Sequence, residues 1–404
     1  MIDLISWQMP RPVLPMNYRK TVLAQILDGL HPEQFRRCAA RHPMARETPS
    51  MSAYDHFAVM VFAQLTYRES LRDIEACLGS RPRLLYHSGI RGSVRRCNLA
   101  YANQYRPSAL FADIALHLMR QARRLYADTP AQLGLDGDLF AIDATLIDLS
   151  LSVFPWARWQ GTQAAVKLNV MLAVNTELPA FCSLGPGKRH DVNFLDQIEF
   201  AAGSYYVFDR GYFDSARWYR INLAGAWFVT RAKCNTRFYV CESRRVDKST
   251  GLRCDQTIRL SSAEALKKYP AKIRRIRFYD KDNARSLVFF TNNFELPALV
   301  VAAIYKRRWE IELFFRWIKQ HLRLRGFFST SANGVAVQVW SAISAYLLVA
   351  IAKHRLELPG SLHQILQIVS ISALEKIPLQ QLFERNDTTN QPLDTGIQLE
   401  INGF

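Results

Sequence analysis

Residues 305–319 read Tyr-Lys-Arg-Arg-Trp-Glu-Ile-Glu-Leu-Phe-Phe-Arg-Trp-Ile-Lys, and on a helix they sort into a charged stripe and an apolar one. At about 100° per residue, Tyr305, Arg308, Glu312 and Lys319 fall within roughly 60° of one another. Ile304, Ile311, Phe314, Phe315 and Ile318 gather on the far side, and Glu310 falls off the charged stripe. An amphipathic surface helix would share this spacing. A solvated face, however, normally mixes many charges of both signs, whereas one acid among cations and a phenol suits a site that grips a phosphate beside a metal-binding carboxylate.

That reading needs further acids, and two apolar runs supply them. Leu139-Phe140-Ala141-Ile142 ends in Asp143, and Tyr205-Tyr206-Val207-Phe208 ends in Asp209. An acid closing an apolar strand is costly unless it is paired or bound to metal. The neighbouring acids have simpler explanations: Asp136 and Asp138 flank Gly137 in a turn, Asp148 follows in the next strand or loop, and Asp214 with Ser215 reads as a helix cap. With Glu312, the two aspartates would put hard oxygen ligands on two strands and a facing helix. Two Mg²⁺ ions, with Mn²⁺ as a substitute, need such a set to activate a water or hydroxyl and stabilise the leaving oxygen of a phosphodiester.

The spacing of Tyr305, Arg308, Glu312 and Lys319 resembles the Tyr-Arg-Glu-Lys signature of the bacterial insertion-sequence DDE transposases. Ile142-Asp143-Ala144-Thr145 and Phe208-Asp209-Arg210-Gly211-Tyr212 resemble the blocks around that family's first two catalytic aspartates, so the likeness runs from about 135 to 325. It implies that Asp143, Asp209 and Glu312 form a metal-binding triad, and that Tyr305, Arg308 and Lys319 contact phosphates near the cleaved transposon end. It also implies cleavage and strand transfer, by cut and paste, without a covalent protein–DNA bond. The partners it implies are double-stranded DNA, as terminal inverted repeats and target, and a second copy of the chain in a synaptic homodimer. His190-Asp191 resembles a further recurring family element. Some relatives hold a flipped base with a tryptophan shortly before the last catalytic helix; here Leu287-Val288-Phe289-Phe290-Thr291-Asn292 has none, which leaves Phe289 or Phe290 for that place.

The elements needed to position these residues can be read from the chain. Before residue 130 the pattern is helical, over Tyr18 to Leu30, Ala53 to Tyr67, Ser70 to Leu78 and Pro107 to Tyr126, with Ser70 and Asp73 as a capping box. Ala53 to Leu78 reads either as a helix-turn-helix or as two packed helices of a small bundle. From about 136 the order becomes three strands (139–142, 167–175, 178–184), a helix (191–200), a strand (205–208), a helix (214–223) and a strand (226–230). This is the order of an α/β, ribonuclease-H-like mixed sheet with flanking helices.

The expected division is a helical N-terminal DNA-binding region (1–130), the first part of the core (131–230), a β-rich insertion (231–295), the catalytic helix completing the core (296–330) and a helical C-terminal region (331–404). The insertion follows from the 102 residues between Asp209 and Glu312, too many for one helix, one strand and a connection. Residues 231–295 hold 16 Lys and Arg against 7 Asp and Glu, a net of +9, with strand-like runs at 236–241, 253–260, 273–279 and 286–291. Cations such as Arg274, Arg275 and Arg277, together with Arg210 beside the second aspartate, are candidate phosphate contacts. The interleaved aromatics read equally as base-stacking groups or as strand packing.

Composition agrees with a polyanionic partner. Lys and Arg number 52 against 35 Asp and Glu, a formal charge of +17, and binding a nucleic acid releases counterions for each phosphate neutralised. Seven cysteines with no C-x-x-C pair suit reduced thiols. The opening Met-Ile-Asp-Leu-Ile-Ser-Trp-Gln lacks a charged n-region and an apolar h-region, and the run from Val335 to Ala352 is broken by Gln338, Ser341 and Ser344, so a cytoplasmic protein without a membrane partner is expected. Two other activities share these features: a structure-selective nuclease without strand transfer, and a domesticated DNA-binding protein. The second usually loses a carboxylate, and none is missing here.

Overall fold

The computed structural model describes residues 20–384 apart from 44–49, 131–132, 282 and 322–325, so the start expected at Tyr18 and the last residues of the C-terminal region lie outside the described residues. Among the described residues seven helices come first: α1 (Val22–Leu27), α2 (Pro32–Arg41), α3 (Ala53–Leu65), α4 (Leu71–Gly79), α5 (Pro82–His87), α6 (Arg96–Tyr105) and α7 (Ser108–Leu125). A full capping box starts α3, with Ser52 accepting from the Asp55 amide. At α4 only half of the expected box forms. Ser70 accepts from the Asp73 amide at 3.1 Å, but the Asp73 carboxylate turns to the Glu69 amide and to Arg68.

The sheet follows: β1 (Leu139–Leu149), β2 (Arg158–Gln160), β3 (Gln163–Ala173), β4 (Leu178–Pro186), β5 (Tyr205–Phe208) and, after α8 (Ser215–Leu223), β6 (Trp227–Arg231). β1 and β4 flank β3 antiparallel, and β5 and β6 add in parallel beside β1, which is the ribonuclease-H-like arrangement. Asp214 caps α8 by accepting from the Arg217 amide. The predicted helix after β4 is instead a 3-10 segment, Asp191–Gln197. Gly137 fixes the entry to β1: a Cβ there would lie 2.1 Å from the Gly203 carbonyl oxygen, so only glycine lets the lead-in to β1 cross the turn before β5.

The insertion is not a separate sheet. β7 (Phe238–Arg244), β8 (Leu252–Leu260), a short α9 (Ala263–Lys268), β9 (Ile273–Asp280) and β10 (Arg285–Thr291) form a meander whose last strand pairs with β6, giving one ten-stranded sheet. β10 is therefore an interior strand covered on both faces. Phe289 and Phe290 are each 1% exposed, Phe289 against Tyr305 and Phe290 against Trp218 and Phe238. Neither ring is placed to hold a flipped base.

After the sheet come α10 (Ala298–Arg307), α11 (Trp309–His321), α12 (Ala332–Arg355) and α13 (Leu362–Ser372). α12 is apolar all round, as a central core helix must be, and packs against α7, α3, α6 and α13. The two helical regions that the sequence separates thus make one helical body. Among the described residues α12 alone is long and apolar enough to cross a membrane, and 94% of its apolar window is buried inside the fold. Two apolar layers flank the sheet: Leu139, Ala141, Val207 and Val229 face the layer that holds α10 to α12, and Phe140, Ile142, Tyr206 and Phe208 face the layer of Trp218 and Phe228.

Candidate functional site

The period-2 alternation of β1 and β5 aims two acids at one cleft. β1 pairs in parallel with β5 up to Ile142 opposite Phe208, and the next residue on each chain is the aspartate. Asp143 and Asp209 continue the odd-numbered rows that face α10 and α11. β1 itself does not end at Asp143, as the apolar run suggested. It runs on to Leu149 because β3 stays paired beside it, with Asp143 opposite Val170.

Tyr305, Arg308, Glu312 and Lys319 do not share one continuous helix. α10 ends at Arg307 and α11 begins at Trp309, so Arg308 is the joint and Glu312 lies in the first turn of α11. Arg308 uses this place to reach two acids, Asp143 Oδ2 at 3.1 Å and Glu312 Oε1 at 2.5 Å. On α10, Tyr305 donates its hydroxyl to Asp209 Oδ1 at 3.1 Å while its ring packs on Phe289. The structure therefore brings Asp143, Asp209, Tyr305, Arg308 and Glu312 together. Lys319 lines the same open cleft, of about 490 Å³, with Thr145 and Arg316. Glu310 points elsewhere, to Arg307 at 2.8 Å.

Burial sets the electrostatics of the cleft more than any single charge does. Burial pushes Asp143 up to about 6; the nearby charges of Asp209 and Glu312 add to the rise, and the Ala144 amide and Arg308 oppose it. Tyr305 is raised to about 12, first by burial and then by Asp209, so it stays a neutral donor. Burial lowers Lys319, with Asp148 pulling the other way.

Hard carboxylate oxygens suit a divalent cation such as Mg²⁺. Among the described residues no three His, Cys, Asp or Glu side chains are gathered closely enough to hold one, because the Arg308 guanidinium stands between Asp143 and Glu312. Asp143, Asp209 and Glu312 are the carboxylates that could hold such an ion, with Arg308 occupying the gap between Asp143 and Glu312.

The remaining expected contacts divide. Arg274 is corrected: it is 4% exposed and locked to Asp255 at 2.7 Å and to the Leu296 carbonyl, which makes it a core ion pair of the insertion rather than a free cation. Arg275 is half-buried, donates to Gln256 and lies 5.2 Å from the Phe238 ring centroid; Arg277 is exposed and donates to Ser286. Arg210 lines a hollow of about 240 Å³ with Arg231, Lys233, Arg275 and Phe238, and no acid lines it. Sequence reading missed Arg231 and Lys233, although Arg231 ends β6, the strand beside the Asp209 strand, and Lys233 follows it. Of the His190-Asp191 pair, Asp191 is tied to Lys167 at 2.5 Å, which pins the 3-10 segment to β3.

The chain is similar to several known proteins. The family model described as a transposase DDE domain matches residues 134–348, and one described as a domain of unknown function matches residues 18–91. A Sinorhizobium fredii protein carrying a transposase name (y4zB) is 34% identical over 299 residues, covering 72% of this chain and 78% of the relative. A Geobacillus stearothermophilus protein named for the transposase of insertion sequence element IS5377 is 32% identical, covering 59% of this chain and 61% of its own. Among solved structures, a piggyBac transposase synaptic complex with hairpin DNA aligns with a TM-score of 0.43 and 9% identity, over 91% of this chain and 83% of that one.

Proposed function

Because the chain belongs to the transposase DDE-domain family of insertion-sequence proteins, we propose that Asp143, Asp209 and Glu312 carry the chemistry of this DNA transposase. The observation that carries the reading is the β1–β5 register, in which Ile142 pairs with Phe208 and the acid after each meets the helices, Asp143 at Arg308, which also holds Glu312, and Asp209 at Tyr305. The family depends on divalent metal, and the three carboxylates are the oxygen donors we assign to it, as two Mg²⁺ ions with Mn²⁺ as a substitute. Bound there, the metal would activate water or a DNA 3′-hydroxyl and neutralise the leaving oxygen.

The protein's own groups do the positioning. Arg308, freed from Asp143 and Glu312, offers a planar fork to a phosphate of the transposon end. Tyr305 remains protonated and orients Asp209 through its hydroxyl. Lys319, farther along α11, reaches a second phosphate. These assignments make the chain a member of the Tyr-Arg-Glu-Lys subgroup, acting by cut and paste on terminal inverted repeats and target DNA as a synaptic homodimer, in the cytoplasm on the nucleoid. Arg210 beside Asp209, with Arg275 and Arg277 on the insertion, would follow the DNA backbone.

The division of labour we assign keeps the boundaries 1–130, 131–230, 231–295, 296–330 and 331–404. The test is to incubate the protein and Mg²⁺ with a plasmid carrying the element's two ends. Release of the element with both strands cut at each end, followed by joining to a second plasmid, is expected. Nicks or breaks without any joined product would make it a nuclease.

A further inference from the structure

Between Glu75 and Asp113 the chain has no acid, yet it has six arginines: Arg81, Arg83, Arg91, Arg95, Arg96 and Arg106. The structure sorts them. Arg106 is buried and donates to the carbonyls of Met51 and Ser52, and the other five are exposed. Among the described residues, Arg81, Arg83 and Arg96 have no acidic partner.

The helix in the middle of this stretch is two-faced. α6 buries Leu99, Ala102 and Asn103 and exposes Arg96, Cys97, Ala100, Tyr101, Gln104 and Tyr105, so its outer face carries arginine, tyrosine and glutamine beside two small residues and no carboxylate. Tyr105 is 57% exposed with its ring 4.6 Å from that of Tyr101, and on α5 Tyr86 is 63% exposed with Arg91 4.3 Å over its ring. Large exposed rings beside unpaired guanidinium groups are a poor solvent face and a good contact face.

This face is held rigidly. The Arg91 amide donates to the buried Asp55 at 2.7 Å, and a Cβ on Gly92 would lie 2.7 Å from the Ser50 carbonyl oxygen, so the loop before α6 lies flat on the start of α3. At the other end, Asn333 of α12 donates to the carbonyls of Asn103 and Arg106, and Asn103 also meets His56 at 2.8 Å. A clamped helix loses little freedom on binding.

The Ala53 to Leu78 pair, open in sequence between a helix-turn-helix and two packed helices, lacks such a face. α3 is buried along eleven of its thirteen residues, and α4 carries Asp73 and Glu75. We propose that α6, not α3 or α4, reads base edges in the major groove of duplex DNA, with Arg96 and Gln104 as the reading side chains and Arg81, Arg83 and Arg91 on the flanking phosphates. At ten residues, about 15 Å, the helix fits a groove about 12 Å wide, and arginine and glutamine are the side chains that pair two-pronged with guanine and adenine. The inference rests on the transposase reading, since it makes this face the reader of the element's own ends.

The test compares Kd of the full-length protein for an end duplex and for a scrambled duplex of equal length and composition, across a salt series. Arg96→Ala and Gln104→Ala should each cut the preference for the end by roughly tenfold, and Arg81→Ala with Arg83→Ala should weaken both duplexes alike and lower the salt slope by roughly 0.9 for each phosphate left unneutralised. Arg72→Ala, on the exposed face of α4, should change neither. All are surface truncations, and unchanged thermal unfolding confirms that they fold. Full preference in Arg96→Ala, Gln104→Ala and Tyr101→Ala/Tyr105→Ala overturns the proposal. So does loss of self-association in these variants with discrimination intact, which makes the face a subunit contact. A wild-type protein with no preference for the end would instead overturn the transposase reading beneath it.

Discussion

Replacing Asp143 by Asn should stabilise the metal-free protein, and increasingly so as pH rises. Burial holds Asp143 near 6 against an ordinary 3.8, a rise of about two units that already includes the attraction of Arg308. The native state therefore keeps a proton that the unfolded chain gives up between about pH 4 and 6, and stability falls as pH rises through that window. At about 1.4 kcal/mol per unit, ionised Asp143 costs the fold on the order of 3 kcal/mol above pH 6, its side chain being only 21% exposed. Asparagine has the shape of the protonated acid without this cost. Urea unfolding of Asp143→Asn and wild type in chelator should show an advantage for the variant of about 1 kcal/mol at pH 4.5 that grows to about 3 kcal/mol at pH 7. Added Mg²⁺ should then raise the wild-type midpoint and leave the variant's alone. An advantage independent of pH, or a variant less stable than wild type at pH 8, would refute the picture of a buried anion awaiting a cation.

Arg308→Ala should tighten divalent-metal binding in the absence of DNA by about tenfold, since a half-buried ion-pair partner worth about 1.4 kcal/mol no longer competes, while weakening the complex with a pre-cut end; calorimetry with Mn²⁺ and gel shifts read the two effects, and unchanged metal affinity would count against the guanidinium as competitor. Arg275→Ala/Arg277→Ala should lower the salt slope of DNA binding by roughly 0.9 per phosphate left unneutralised, whereas an unchanged slope moves the DNA surface off the insertion. Arg274→Ala should leave that slope alone and instead destabilise the fold by about 2–3 kcal/mol in denaturant unfolding, because it leaves the buried Asp255 with Arg244 at 3.3 Å as its remaining cation.

Much of the site was legible because its signals are periodic. Acids following apolar runs gave Asp143 and Asp209, and helical spacing gave Tyr305, Arg308 and Glu312, since alternation on a strand and stacking on a helix are local rules. What escaped the sequence was set by neighbours distant in the chain. The break at Arg308 has no proline or glycine to announce it, and the residue serves there as a cross-link to Asp143, 165 positions away. β1 outlasts its apolar run because β3 supplies partners beyond Asp143. In Ile273-Arg274-Arg275-Ile276-Arg277 one arginine turns inward to Asp255 and another outward, a choice fixed by the acid on β8. Phe289 and Phe290 are both core because β10 joins the central sheet, which no local pattern on β10 could reveal.

The central claim is that Glu312, and not its neighbour Glu310, completes the catalytic set. Strand joining of a pre-cut end to a plasmid, measured in Mg²⁺ for Glu312→Gln and Glu310→Gln alongside a gel shift on the same end, tests it most directly. The account predicts that Glu312→Gln binds the end and joins nothing above background, while Glu310→Gln, which loses only its tie to Arg307, joins nearly as well as wild type. Joining by Glu312→Gln at the wild-type rate, or a dead Glu310→Gln, would contradict it.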